Sequence, residues 1–279
     1  MLESKSMKIY NIDDVRRELI EWIREYFDKN GDEDTKAVIG ISGGKDSSVV
    51  AKLCVNAIGN ERVVGVMLPN YSQYDINVAY DLCQYLEIES YEFNIHDEIY
   101  SISDKLSNLE LIETDTVTAN LPARLRMVYL YAVANSIGGR VANTSNLSEK
   151  WVGYTTKFGD NLGDFSPLSN LTCSEVKRLG YSLRLPKEFI EKVPEDGICG
   201  KSDEDNLGFT YAVLDKYIRT GDCSDLYTRL QMDIKHACSV HKREAIPSFK
   251  IPEWYEHEIE YPVSYIFEDD DFIVDDSDD

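Results

Sequence analysis

The chain is poor in positive charge: 29 Lys and Arg stand against 51 Asp and Glu, a formal net charge of −22. A protein that binds nucleic acid broadly needs a basic surface to displace counterions, so that class is excluded. Long apolar runs are also missing. None approaches a membrane span, and Met1 to Tyr10 has no apolar stretch of signal-peptide length, so we expect a cytoplasmic protein without membrane attachment. Six cysteines lie at 54, 83, 173, 199, 223 and 238 without one Cys-x-x-Cys pair. That removes thiol redox motifs and paired-cysteine zinc sites, and the cysteines read as reduced structural thiols. We find no internal repeat.

What is present is an alternation of strand-like and helix-like segments. Ile12, Val15, Leu19, Ile23 and Phe27 recur at helical spacing and predict an amphipathic helix over 12–28. Apolar runs at 37–39, 63–68, 91–95 and 140–144 predict strands, and 49–58 and 78–86 predict helices between them. A helix over 121–137 has Pro122 in its first turn and Gly138-Gly139 as its stop. Residues 145–169 read as a long polar loop of functional length, and helices follow at 172–182, 210–219 and 223–239. This pattern implies right-handed crossovers and a doubly wound parallel sheet with flanking helices. We expect one domain over 1–262 and an acidic tail over 263–279, in which Glu268 to Asp279 carries eight acidic residues and no basic one.

The chemistry begins at Gly40-Ile41-Ser42-Gly43-Gly44-Lys45-Asp46-Ser47-Ser48, between the first strand and the first crossover helix. Glycines let a phosphate approach the backbone, and the N–H groups of a helix start point at it. The serines add hydroxyl donors, Lys45 a positive charge, and Asp46 an oxygen ligand for phosphate-bound magnesium. The spacing matches neither the Walker loop nor Gly-x-Gly-x-x-Gly. It resembles the Ser-Gly-Gly-x-Asp-Ser loop of the N-type ATP pyrophosphatase superfamily, whose members cut ATP between the α and β phosphates. That resemblance implies the adenine nucleotide α-hydrolase-like version of the fold.

Downstream blocks narrow the resemblance. Asn120-Leu-Pro-Ala-Arg124-Leu-Arg126-Met127, Asn143-Thr144-Ser-Asn146-x-Ser148-Glu149, Gly153-Tyr154-x-Thr156-Lys157-Phe158-Gly159-Asp160, Ser202-Asp203-Glu204-Asp205-x-Leu207-Gly208 and His241-Lys242-Arg243 occur in that order. From about residue 12 to about 255 the chain resembles the ammonia-dependent NAD synthetases. The resemblance implies a ligase that adenylates the nicotinate carboxylate of deamido-NAD with ATP and then displaces AMP with ammonia. It implies Lys45 and Asp46 as catalytic residues, magnesium on Asp46 and Glu149, and ATP on Gly40 to Ser47, Thr144, Cys173 and Glu195. Deamido-NAD would meet Arg124, Lys157, Asp164, His241 and Lys242, near the interface of a homodimer.

Three positions depart from the family pattern. A lysine expected after Pro167 is replaced within Leu171-Thr172-Cys173, a Ser or Thr expected after Pro194 is Glu195, and Asn143 stands where glycine is usual. The first two leave ATP binding either weakened or compensated by Thr172, Ser174 or Lys201. Too few residues precede the first strand to hold a glutaminase domain, so free ammonia or a separate glutaminase subunit is the expected nitrogen source. Two other readings stay open from sequence: another acceptor on the same ATP chemistry, as in GMP synthetase or the tRNA thiolases, and a regulatory homologue without turnover.

Overall fold

A computed structural model describes residues 11–73, 75–112, 114–191 and 202–250. The chain divides into two compact units, Met1–Arg243 and Glu244–Asp279; the elements below all belong to the first. The expected boundary at 262, the acidic tail, Glu195 and Lys201 lie outside the described residues.

Helix α1 (Ile12–Asn30) leads into β1 (Lys36–Gly40), α2 (Lys45–Ile58), β2 (Val63–Met67), α3 (Ile76–Leu86), β3 (Glu89–Glu92), α4 (His96–Asn108), α5 (Asp115–Ser136) and β4 (Gly139–Val141). Then come the short α6 (Leu147–Val152), α7 (Cys173–Ser182), α8 (Asp203–Leu207), α9 (Tyr211–Thr220), α10 (Leu226–Cys238) and α11 (Val240–Arg243). The strands form one parallel sheet in the order β3-β2-β1-β4.

Alternation along the strands separates two cores. In β1, Ala37 and Ile39 join the core shared with α1, α2, α3 and α7, and Val38 turns to the other face. In β2, Val64 and Val66 face the core under α4 and α5. Each fully buried Leu, Ile or Val contributes about 1.5–3 kcal/mol relative to exposure. Such residues line α2 at Val49, Val50 and Leu53, which fixes its start against β1.

Several boundaries differ from the sequence expectation. The third strand is Glu89–Glu92 rather than 91–95, an exposed edge strand whose alternation is weak. The fourth is regular only to Val141; the Ala142 N–H still donates to the Val38 carbonyl at 2.9 Å, and Ala142 also bridges to Phe165. Helix α5 begins two turns before Pro122, with the Thr114 hydroxyl accepting from the Val117 N–H at 3.4 Å. Pro122 is therefore buried inside the helix, not in its first turn. Residues 145–169 are not free of regular structure, since Asn146 starts α6 with a reciprocal cap. Tyr129 and Val133 pack against the core and Leu130 is buried in it, whereas Val128 faces out.

Candidate active site

The carboxyl ends of β1 and β4 lead into the predicted loop and into α6, which carries Glu149. Gly40 closes β1 under α5, where a Cβ would stand 3.3 Å from Leu130 Cδ1. Ile41 continues the sheet bonding, its N–H donating to the Val66 carbonyl at 2.9 Å. Gly43 then takes φ +74°, a left-handed turn against α3 that disfavours any side chain. Gly44 is the extended residue before α2 and supplies no side-chain cap. The first N–H groups of a buried 14-residue helix thus start beside a glycine pair, the arrangement that suits an anion. Ser42 and Ser47 hydroxyls lie 3.2 Å apart across the turn, and the Ser47 and Ser48 hydroxyls donate to the Gly44 carbonyl at 3.1 and 2.8 Å.

Lys45 is 6% exposed, and its ammonium pairs with Asp46 Oδ2 at 2.8 Å. Burial alone would lower its pKa, but Asp46, Cys173 and Glu149 outweigh it and hold the lysine charged. Asp46 Oδ1 accepts from Asn146 Nδ2 at 3.1 Å. Asn146 also caps α6: its Oδ1 accepts the Glu149 N–H at 3.1 Å, and Glu149 Oε2 accepts the Asn146 N–H at 3.2 Å. Asn146 therefore joins the two predicted metal residues, its side-chain amide bonding the Asp46 carboxylate and its backbone N–H the Glu149 carboxylate. Burial first, then the charge of Asp46, pushes the Glu149 carboxyl up to about 8. The raised Glu149 carboxyl beside Asp46 marks a site short of positive charge.

Cys173 is the first residue of α7, and Lys45, Asp46, Asp215 and Glu149 all act on it electrostatically. Its thiol is pushed up to about 12, chiefly by burial, so it is neutral. Thr172, a possible substitute for the absent lysine, is committed to capping α7. Thr144 is half-buried in the link from β4 to α6.

The other predicted residues lie along the segment that follows α6. Arg124 Nε donates to the Lys157 carbonyl at 3.3 Å from the exposed side of α5. The Lys157 ammonium lies 5.2 Å from the Phe158 ring, and Phe158 is held at φ +61° with its ring half exposed. Both Asp164 oxygens bond within the protein, to the Val141 N–H at 2.7 Å and the Tyr131 hydroxyl at 3.4 Å. Lys242 donates to the Gly153 and Thr155 carbonyls at 2.8 and 2.7 Å. His241 is exposed.

Asn143, the departure from glycine, has a structural explanation. Its amide donates to the Asp160 and Leu162 carbonyls, both at 2.8 Å, and its carbonyl accepts from Ser145 N–H and the Ser166 hydroxyl at 3.2 and 2.8 Å. The side chain is 3% exposed and ties down the whole 160–166 segment.

Sequence reasoning passed over Asn146, whose signal was an Asn three residues before a Glu, and Tyr211, whose ring is 5.9 Å from the Lys45 ammonium. It also left Arg126 unassigned. This half-buried guanidinium donates through Nε to the Leu68 carbonyl at 3.1 Å, just past β2, and pairs with no carboxylate among the described residues. Shape alone would have misled. A groove of about 800 Å³ between α1 and residues 166–171, floored by Val15, Leu19 and Trp22, contains none of the predicted residues.

The family model for NAD synthase matches residues 15–251. The chain belongs to the NAD synthase family. The NH(3)-dependent NAD(+) synthetase of Pyrococcus horikoshii is 38% identical over 213 residues, 76% of this chain and 79% of that one. Its counterpart in Archaeoglobus fulgidus is 35% identical over 250 residues, 86% of this chain and 98% of that one. Among solved structures, NMN synthetase from Francisella tularensis superposes with a TM-score of 0.79 at 32% identity, covering 87% of this chain and 100% of that one. The NH3-dependent NAD synthetase from Campylobacter jejuni gives 0.70 at 25% identity over 86% of this chain and 100% of that one. The adenine nucleotide α-hydrolase-like fold, the ligase class and ATP as co-substrate go with this membership.

Proposed function

We propose that the chain converts deamido-NAD to NAD with ATP and free ammonia. The observation that carries this reading is the joining of the Gly40–Ser48 loop to Glu149 through Asn146, inside a chain of this family. In the first step a nicotinate carboxylate oxygen attacks the α phosphorus, and the bond to the β-phosphate oxygen breaks. Pyrophosphate leaves and an acyl-adenylate remains. Ammonia then attacks the acyl carbon, loses a proton, and displaces AMP, which keeps the former carboxylate oxygen. The carboxylate needs this activation because its own oxygen is a poor leaving group.

The chain's part is positioning and charge stabilisation. The α2 N–H groups and Lys45 receive the departing pyrophosphate. Arg126, half-buried and in no ion pair among the described residues, adds a fork for phosphate oxygens just past β2. Arg124, Lys157, His241 and Lys242 serve the dinucleotide, Lys242 through the 153–155 carbonyls it holds in place. Asp164 acts by fixing that segment to β4.

Magnesium fits the donor set. Asp46 and Glu149 offer oxygen only, and Mg²⁺ is commonly held by one or two carboxylates with phosphate oxygens and waters completing its shell. Bound there, it neutralises charge on the pyrophosphate. A homodimer agrees with the exposed apolar residues Leu109, Leu111 and Ile112 ahead of α5 and Val128 on it. Among the described residues no helix is long and apolar enough to cross a membrane; cytoplasmic residence and supply of ammonia by a separate glutaminase subunit belong to the same reading.

The Francisella NMN synthetase neighbour favours a second acceptor, a nicotinate mononucleotide. Purified protein given MgATP and ammonium with either acid separates them. Conversion of deamido-NAD in preference to the mononucleotide supports the proposal, and the reverse preference overturns it.

A further inference from the structure

Among the described residues, Asp215 is the one acidic side chain that is almost fully buried, at 6% exposure. It lies on α9, one turn after Tyr211, and belongs to none of the sequence blocks that mark the site. No cation pairs with it in the described residues. Its Oδ1 accepts the Ser148 hydroxyl proton at 2.5 Å, and its Oδ2 accepts the Ser174 N–H at 2.7 Å. The Ser148 oxygen, its proton given to Asp215, accepts the Cys173 N–H at 2.9 Å.

Ser148 is the neighbour of Glu149 on α6, and Cys173 opens α7 beside Lys45. One carboxylate therefore locks the start of α7 to α6 and both to α9. Helix α6 has only six residues and cannot hold its own orientation. Its outer end is fixed by Asn146 to Asp46; its inner side is fixed by Ser148 to Asp215. We propose that Asp215 is a positioning residue that holds Glu149 at the distance from Asp46 required by the metal–nucleotide complex. This rests on the reading of Asp46 and Glu149 as metal ligands given above.

Asparagine cannot reproduce the arrangement. With its oxygen toward Ser174, its NH₂ and the Cys173 N–H both donate to Ser148, whose proton loses its acceptor. Turned over, the NH₂ faces the Ser174 N–H, donor against donor.

The test is manganese binding in the presence of ATP, followed by paramagnetic resonance without any acid substrate, for wild type, Asp215→Asn, Glu149→Gln and the double variant. We expect Asp215→Asn to weaken manganese about 10- to 100-fold, the range for partners that orient metal ligands, with dissociation of deamido-NAD unchanged. Added to Glu149→Gln, it should weaken manganese little further, because its effect passes through Glu149. Ser148→Ala should reproduce the single-variant result, and it decides the matter if Asp215→Asn does not fold. A lowered melting temperature with wild-type manganese affinity would make Asp215 a plain helix staple and overturn the proposal. Full additivity with Glu149→Gln, or equal loss of metal and deamido-NAD binding, would overturn it as well. Wild-type turnover of deamido-NAD is read separately, so a wrong acid substrate and a wrong role for Asp215 give different results.

Discussion

Around the start of α2 the charged side chains are joined in one chain of contacts: Lys45 pairs with Asp46, Asp46 accepts from the Asn146 amide, and the Glu149 carboxylate accepts the Asn146 backbone N–H. Along residues 153–165 they mostly bond backbone, as Lys242 does with two carbonyls, Arg124 with one and Asp164 with the Val141 N–H. The first region fixes charges in a buried cluster whose balance changes when a nucleotide arrives. In the second, side chains shape a segment, leaving the Phe158 ring and His241 at the surface. Damage to the first should therefore appear in ATP and metal use, and damage to the second in affinity for the acid substrate.

The largest expected effect comes from Asp46→Asn. It removes a metal ligand and the partner of buried Lys45 together: turnover should fall on the order of a hundredfold or more, and the melting temperature should fall even without MgATP because the Lys45 ammonium loses its buried partner. Wild-type turnover at low magnesium would erase the distinction between the regions. Lys242→Met is the matching cut in the other region. Loss of both carbonyl contacts should raise the KM for deamido-NAD about tenfold, equivalent to about 1.4 kcal/mol, while the KM for ATP stays put. A rise in the ATP KM instead would merge the two regions into one.

Cys173→Lys sharpens the first region. The thiol is neutral and cannot stand in for an ammonium beside a triphosphate. Asp46, Asp215 and Glu149 all act on this position against the single charge of Lys45, so a second lysine should be tolerated and lower the ATP KM by about tenfold. A higher ATP KM would mean repulsion of a lysine already serving the site.

Titration gives a smaller effect, present without metal and absent with it. The Glu149 carboxyl moves from 4.5 to about 8 in the folded protein, so the unfolded chain binds fewer protons across that window. Stability of the metal-free protein should then fall as pH rises through it, and MgATP should remove the slope. Melting curves from acid to neutral pH check this, and Glu149→Gln should flatten the metal-free slope. Smallest of all, His241→Ala should change the deamido-NAD KM by less than about threefold, the scale of an exposed charged contact.

Much of this was legible in the sequence because glycine, capping and periodicity leave local marks. Gly43-Gly44 and the apolar strand before them located the loop, and the period of Ile12 to Phe27 gave α1 within two residues of its end. Tertiary effects were not legible. Pro122 lies inside α5 because the buried face of a long helix outweighs one lost hydrogen bond, and the start set by Thr114 is visible only with that packing known. Helix α4 went unread, as none of its residues is buried and its pattern is largely polar. At the site, Lys45, Asp46 and Glu149 stood in motifs, whereas Asp215 and Tyr211 reach it from a helix far along the chain. No local pattern reports a hydrogen bond between residues 148 and 215.

The fate of the carboxylate oxygen tests the central claim most directly. Deamido-NAD carrying a heavy-oxygen label in its nicotinate carboxylate, turned over with MgATP and ammonium, should pass one labelled oxygen to AMP, with AMP and pyrophosphate formed in equal amounts. Label in released phosphate, or ADP as the nucleotide product, would contradict cleavage between the α and β phosphates and the acyl-adenylate with it.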